Sequence, residues 1–329
     1  MQTSENRNLL TICIPTYNRC RFLDYGVRKL APEAEKYGIE IIIVDNASPD
    51  ETEKIGRGLS EEYSSIHYYR NDTNIGPDRN FEKALKLSTS RYAWLMSDDD
   101  GIDFSKIPEI LHQLDQNDLD LFVLNAENRV VDVPSKLYTN HSKLLSEIGW
   151  HMQMMSCLIF SRELIHNADF DKFQHTFLVQ YGIIFDTIGK KKDIQVFFFS
   201  DIVIVPFYPN DFERKQGDGW MQNALPIFVE NWSRMILNFP ECYSMDAKRM
   251  AIRDHGEKSG LFRFQSLLRL SLIGALTASK LHEVRKYYCY AIAYPYWLVN
   301  IISRLPANNY IYQALRTIKH SVKILLGKR

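Results

Sequence analysis

The sequence predicts an α/β fold, a mostly parallel central sheet with helices on both faces, followed by a helical C-terminal region. Three observations carry the prediction. Apolar runs alternate with stretches of helical spacing over the first 125 residues, and strands alternating with helices imply parallel strands joined by crossovers. Those runs stop at clusters of Asp, Asn, Pro and Thr. From about residue 221 onward the pattern is helical to the end.

The elements follow in order. LLTICIP (9–15) is a buried strand that stops at a proline, and Arg21 to Lys36 has helical spacing through Leu23, Val27 and Leu30. IEIIIVD (39–45) is the second strand. Ser48-Pro49-Asp50-Glu51 then has the spacing of a capping box, with proline at the first helical position. IHYYR (66–70) is the third strand, and Asp78 to Leu87 is a helix with Phe81, Ala84 and Leu85 inward. YAWLM (92–96) is the fourth strand. Beyond it LDLFVLNAE and MMSCLIFS read as strands, HTFLVQYGIIFDTIG as a helix, and QVFFFSDIVIVPF as one or two more strands.

The chain of 329 residues, 45% hydrophobic, suffices for one large domain with an appendage. Lys+Arg and Asp+Glu both total 40, yet eleven Lys/Arg face one acid from Leu261 onward. Such a basic tail points to an anionic partner, membrane or nucleic acid. Five scattered cysteines without a CxxC pair read as free thiols in a reducing cytosol. The N-terminus has no long apolar run before the first strand, which argues against a cleaved signal peptide.

Ligands of open parallel sheets bind beyond the C-terminal ends of the strands. Four consecutive strand ends carry polar groups there: Pro15, Thr16, Tyr17, Asn18 and Arg19; Asp45, Asn46 and Ala47; Asn71 to Arg79; and Asp98, Asp99 and Asp100. Asp and Asn are common in turns, so one such end means little; four in register mean more. Three adjacent carboxylates repel one another and call for something positive. Hard divalent cations take carboxylate oxygens together with substrate phosphates. Alternation along an extended stretch turns Asp98 and Asp100 to one side and Asp99 to the other. A P-loop and a GxGxxG turn after the first strand are both missing, which disfavours a P-loop NTPase and a dinucleotide-binding fold.

The blocks TICIPTYNR, EIIIVDNASPDET, NDTNIGPDRNFEKAL and WLMSDDD resemble, in order and spacing across about residues 9–103, those of the family 2 glycosyltransferases with the GT-A fold. The NIGPDRNF and SDDD forms further resemble bacterial O-antigen transferases of the abequosyltransferase type. The resemblance implies a nucleotide-diphosphate sugar donor, with Pro15, Thr16, Asn18, Asp45, Arg79, Asp98 and Asp99 contacting it. It implies Mn²⁺ or Mg²⁺ on Asp98 and Asp100, the ends of the DxD motif, and inversion at the transferred sugar. It divides the chain into a catalytic domain, 1–220 (a nucleotide-binding half, 1–103, and an acceptor-side half, 104–220), and a helical basic region, 221–329. The family's general base lies in an acidic pair at a helix start some tens of residues after DxD. This chain has no such pair in DFDKFQHTFLVQYGIIFD, where Asp169, Asp171 and His175 are the candidates. His175 is expected near the helix start, and Asp186, deep in the helix, is expected to face solvent.

The loop 208–220 holds Arg214, Lys215, two glycines and Trp220, residue types suited to a lid over a diphosphate. Seventeen uncharged residues between Lys286 and Arg304 are dense in Tyr and Trp, as at a membrane interface. Ile311, Leu315, Ile318, Val322 and Leu325 then form an apolar stripe beside Arg316, Lys319 and Lys323. The expected partners are therefore a glycan acceptor on a polyprenyl lipid carrier and an anionic membrane surface at the inner face of the cell membrane, with no nucleic acid. Two rivals share parts of the pattern. A sugar nucleotidyltransferase would bring a Gly-rich loop after the first strand, which PTYNR lacks; a non-catalytic binding module would use the basic tail for nucleic acid.

Overall fold

The computed structural model describes residues 9–206 and 219–307. Two compact units divide the chain: residues 1–216 with 239–248, and residues 217–238 with 249–329.

The first unit is built on a nine-stranded sheet in the order β3-β2-β1-β4-β8-β6-β9-β5, with β7 on β9. Its strands are β1 (Leu10–Thr16), β2 (Glu40–Asp45), β3 (Ile66–Arg70), β4 (Tyr92–Leu95), β5 (Asp100–Ile102), β6 (Leu121–Ala126), β7 (Lys136–Tyr138), β8 (Leu158–Ser161) and β9 (Val196–Pro206). β3, β2, β1 and β4 are mutually parallel, so their C-terminal ends share one edge. β8 runs antiparallel to both β4 and β6, which makes β4 and β6 point the same way. β6 therefore delivers its C-terminal end to that edge too. QVFFFSDIVIVP is one strand, with register shifts against Leu124, Asn125 and Ala126. The sequence reading missed β5 and β7, because three residues are too few for a period of two to show.

Helices α1 (Cys20–Tyr37), α2 (Thr52–Glu62), α3 (Pro77–Leu87), α4 (Ile107–Gln116), α5 (His141–Ile148), α6 (Arg162–Asn167) and α7 (Val179–Ile188) belong to this unit. α1 buries Phe22, Leu23, Val27, Leu30, Ala31 and Ala34, one face at helical spacing, and ends on Gly38 with φ 66°. α7 is buried at every position, Val179 to Ile188, so it carries no amphipathic signal. α2 is not closed by the expected capping box. Asp50 accepts instead from the Thr52 amide at 3.0 Å and from its hydroxyl at 2.5 Å, and Ser48 is drawn to another loop. Phe239 and Tyr243, expected in the C-terminal region, pack on Phe185 at ring-centroid distances of 5.3 and 5.6 Å.

The second unit is helical: α8 (Gly219–Gln222), a π-helical turn Pro226–Asn231, α9 (Trp232–Leu237), the later part of α10 (Met245–Lys258), α11 (Phe264–Leu272), α12 (Ala278–Glu283), α13 (Tyr288–Ala291) and α14 (Tyr296–Ile302). Its core centres on the His255 ring, 4.8 Å from both Phe228 and Trp232. The aromatic segment after Lys286 is cut by Pro295 into two short helices, and no helix among the described residues is long and apolar enough to cross a membrane. The stripe from Ile311 to Leu325 and the lid residues Arg214, Lys215 and Gly217 lie outside the described residues.

Candidate active site

The β1 and β2 ends are tied together first. The Asn46 amide donates to the Thr16 carbonyl at 2.9 Å. The Asn18 amide donates to Ser48 Oγ at 2.7 Å, and the Cys20 amide to Asp50 at 3.0 Å. Asn18 and Ala47 hold left-handed backbones, φ 55° and 59°, a cost that functional loops tolerate when their surroundings dictate the turn. Pro15 stands inside β1, buried and paired with Val44, rather than in the loop.

Arg19 brings a positive charge to the carboxylates that follow β4. Its guanidinium reaches Asp98 at 3.1 Å and Asp99 at 2.7 Å. Thr16 Oγ1 donates to Asp98 at 2.6 Å, and Ser97 Oγ to Asp99 at 2.5 Å. Asp100 is received by Ser156, whose hydroxyl donates to it at 2.6 Å. Ser156 is held in turn by Trp94, whose indole N–H donates to the Ser156 carbonyl at 2.8 Å. The alternation expected of an extended stretch is not what positions these side chains. Residues 98 and 99 form a turn, so strand alternation does not apply, and it is Asp98 and Asp99 that share a cation.

Asp98 is 7% exposed. Burial first, then the charges of Asp99 and Asp100, outweigh Arg19 and Thr16 and push its pKa up to about 6. Three consecutive carboxylates at one strand end offer the oxygen ligands that a hard divalent cation takes. Among the described residues, no three Asp, Glu, His or Cys groups are gathered closely enough to ligate one as they stand.

Asp45 is fully buried and cross-links β2 to β3. It accepts from the Ser48 amide at 2.9 Å and Tyr68 Oη at 2.7 Å, and it pairs with Arg70. Gly56 lets the Tyr68 ring approach, since a Cβ there would stand 2.2 Å from it. The 71–76 loop is pinned by amides: Asn71 donates to Asn46 and to Asn80, each at 2.9 Å, and Asn46 to Asn74 at 2.9 Å. Arg79, in the first turn of α3, is 45% exposed and pairs with Glu82 at 2.9 Å and Asp171 at 2.6 Å.

His175 lies four residues before α7, in a turn and not at the helix start. It is exposed, with φ 64°, and Phe177 has φ 62°. Asp78 pins this turn, accepting from the Phe177 amide at 3.0 Å and the Val179 amide at 3.4 Å. Asp169 and Asp171 are exposed; Asp169 accepts from the Lys172 amide at 3.3 Å. Asp186 does not face solvent. It is 2% exposed and lies between Lys172 and Lys190, the latter at 2.6 Å. The lysines have the reach to bring cationic heads to a buried acid while staying half exposed, which spacing along α7 does not reveal.

Ser156 and Arg70 were not among the expected contact residues. Ser156 stands alone in an apolar run, and no sequence signal marks it. Two cavities, lined by Asp120, Glu163 and Lys191 among others, open at the opposite ends of β4 and β6, away from these groups.

Residues 11–169 match the family described as Glycosyl transferase family 2. The abequosyltransferase RfbV of Salmonella typhimurium is 29% identical over 211 residues, covering 55% of this chain and 62% of that protein, so the match spans less than two thirds of that relative. Among solved structures, residues 1–349 of S. aureus TarS, in complex with UDP-GlcNAc, superpose with a TM-score of 0.61 at 14% identity, covering 94% of this chain and 92% of that one. The mannosyltransferase PcManGT of Pyrobaculum calidifontis, in complex with GDP-Man and Mn²⁺, gives 0.54 at 15% identity, covering 97% and 88%. With a parallel half-sheet whose ends gather Thr16, Asp45 and the 98–100 carboxylates, the chain has the GT-A fold, and its residues 11–169 match glycosyltransferase family 2.

Proposed function

We propose that the protein transfers a sugar from a nucleoside-diphosphate donor to a glycan acceptor in bacterial cell-surface polysaccharide assembly. The observation that carries this reading is the meeting of Thr16 and Arg19, from the end of the first strand, with the carboxylates that follow the fourth. Asp98 and Asp100 would hold a divalent cation, Mn²⁺ or Mg²⁺. When bound, that ion supplies charge neutralisation at the leaving diphosphate. Thr16 and Arg19 keep the carboxylates aimed, and Asn18, Asp45 and Asp99 shape the nucleotide side. Arg79, partly exposed beside the 71–76 loop, has the charge to meet a diphosphate oxygen.

In an inverting transfer, the acceptor oxygen bonds to the anomeric carbon as the bond to the diphosphate breaks. The hydroxyl proton passes to a base. His175 is the base we favour: it is exposed in a turn pinned by Asp78, and imidazole is the side chain most often used as a general base. Asp171 is engaged by Arg79, and Asp169 is the alternative.

A lipid-linked acceptor and peripheral membrane contact are part of the proposal. Trp297, Ile301 and Leu305 are 64, 58 and 41% exposed at helical spacing, and Lys286 and Arg304 are exposed in the same segment. An exposed Trp with basic neighbours suits an anionic lipid interface.

The test is a panel of nucleoside diphosphates screened for thermal stabilisation with and without Mn²⁺. One that stabilises at about 100 times its Kd adds roughly 2.7 kcal/mol. If none stabilises the protein at any Mn²⁺ concentration, the donor reading is wrong. Sedimentation with anionic liposomes tests the membrane contact. Trp297→Ala with Ile301→Ser should reduce it, and a parent that never sediments removes that part.

A further inference from the structure

Arg129 stands in the loop after β6, whose C-terminal end lies on the same sheet edge as that of β4. Two consecutive non-glycine residues there, Glu127 and Asn128, hold left-handed backbones with φ 48° and 56°. Each costs of order 1–2 kcal/mol, so something must dictate the turn. Asn125 does. It is fully buried, and its side chain accepts from the Val130 amide at 3.2 Å and donates to the Val130 carbonyl at 2.9 Å. The Glu127 amide is bound by Ile204 O at 2.9 Å and the Arg129 amide by Ala126 O at 2.8 Å.

The side chain so presented lacks the partner its charge calls for. The guanidinium lies over the Trp150 ring at 5.2 Å and against the Met154 thioether. Among the described residues Arg129 makes no ion pair and donates to no oxygen, although it is only partly exposed. Burial lowers its pKa; Cys157, Glu127 and Asp100 oppose this through space without direct contact. The neighbouring His151 adds no charge. Burial first, then Arg129, push its pKa down to about 3. Met154 and Ser156, two residues apart, connect Arg129 to Asp100, because Ser156 donates to Asp100 at 2.6 Å. A cation withdrawn from water without a counter-ion is costly, and a planar fork matches the paired oxygens of phosphate and carboxylate.

We propose that Arg129 is an anion-binding side chain of the substrate site, taking a phosphate or carboxylate oxygen on the Asp100 side of the carboxylate cluster. The inference rests on the glycosyltransferase reading for the identity of that anion, which is either the donor's diphosphate or an anionic group of the acceptor.

Thermal shift with Mn²⁺ tests it on the full chain, using inorganic pyrophosphate, a nucleoside diphosphate panel and farnesyl diphosphate as probes. Arg129→Met should leave the ligand-free melting temperature equal or higher, because it removes a charge without an ion partner. It should weaken pyrophosphate binding at least tenfold, and Arg129→Lys should recover part of the loss. A matching loss for the nucleoside diphosphate assigns the anion to the donor. A loss for farnesyl diphosphate alone assigns it to the acceptor. A variant that binds all three probes as the parent does, or that melts lower while binding them normally, overturns the inference. If the parent binds no nucleoside diphosphate, the donor reading fails separately. Arg129 is then judged on pyrophosphate: bound by the parent and lost in Arg129→Met supports the site, and any other result overturns it.

Discussion

Two buried aspartates in one sheet-based unit are treated in opposite ways. Asp186, on α7, meets two lysines, and although burial works against its charge, their hydrogen bonds win and hold its pKa below the ordinary range. Asp98, after β4, shares one arginine with Asp99 and stands beside Asp100, and its pKa is pushed up to about 6. An acid kept only for packing is neutralised, as Asp186 is. A buried acid with a raised pKa beside two others, at the C-terminal edge of a parallel sheet, is placed where ligands of such sheets bind.

The sharpest way to break this contrast is Asp98→Asn. Transfer should fall by 10²-fold or more, in line with losing a major electrostatic contact to the reacting group, while the ligand-free protein melts no lower than the parent. Near-normal turnover would place Asp98 with Asp186 as a packing residue. His175→Ala should cut turnover by about 10²–10⁴-fold if the imidazole is the base, with the Kd for nucleoside diphosphate unchanged. A loss under tenfold across the pH–rate profile moves the role to Asp169.

Asp186→Asn is the converse experiment. It leaves Lys172 and Lys190 without their acid, so stability should drop by about 1–2 kcal/mol, the lysines being half exposed. Turnover per folded molecule should hold. A denaturant titration paired with an activity assay reads both, and lost activity at full stability would undo the distinction.

The smallest effect is in the pH dependence of stability. Asp98 has a folded pKa above its ordinary value of 3.8, so the stability it contributes is complete below about 4 and is lost as pH rises through about 6. Asp186 has a lowered pKa, so its contribution is present above 3.8 and is lost only as pH falls below that. Melting temperatures between pH 4 and 7 should show a component that falls with rising pH and vanishes in Asp98→Asn. The same component surviving in that variant would locate it in another group.

Much of the parallel half-sheet is readable in the sequence. Ile41, Ile43 and Val44 declare a strand buried on both faces, and Asp45 at its end declares a polar edge. Thr16 and the three aspartates were collected on the same reasoning, and the structure joins Thr16 to Asp98 across 82 positions. What failed did so where a local rule met a tertiary contact. Alternation assumed an extended stretch at 98–100, and residues 98–99 form a turn. The spacing in 48–51 suggested a capping box, but Ser48 serves Asn18 and the Thr52 amide donates to Asp50. Asp186 looked exposed, but α7 is enclosed on every side.

The sequence by itself determined the strand–helix order, the parallel half-sheet and the polar character of its C-terminal edge, because periodicity and strand termination are properties of neighbouring residues. Only the tertiary structure decided that Arg19 answers the aspartates, that Ser156 receives Asp100, that two lysines cover Asp186 and that Arg129 has no ion partner among the described residues. Each of these is a charge or hydrogen bond closed, or left open, between residues distant in the chain. Coulomb energy and desolvation depend on distance and burial in space, and neither quantity is written in the order of the residues.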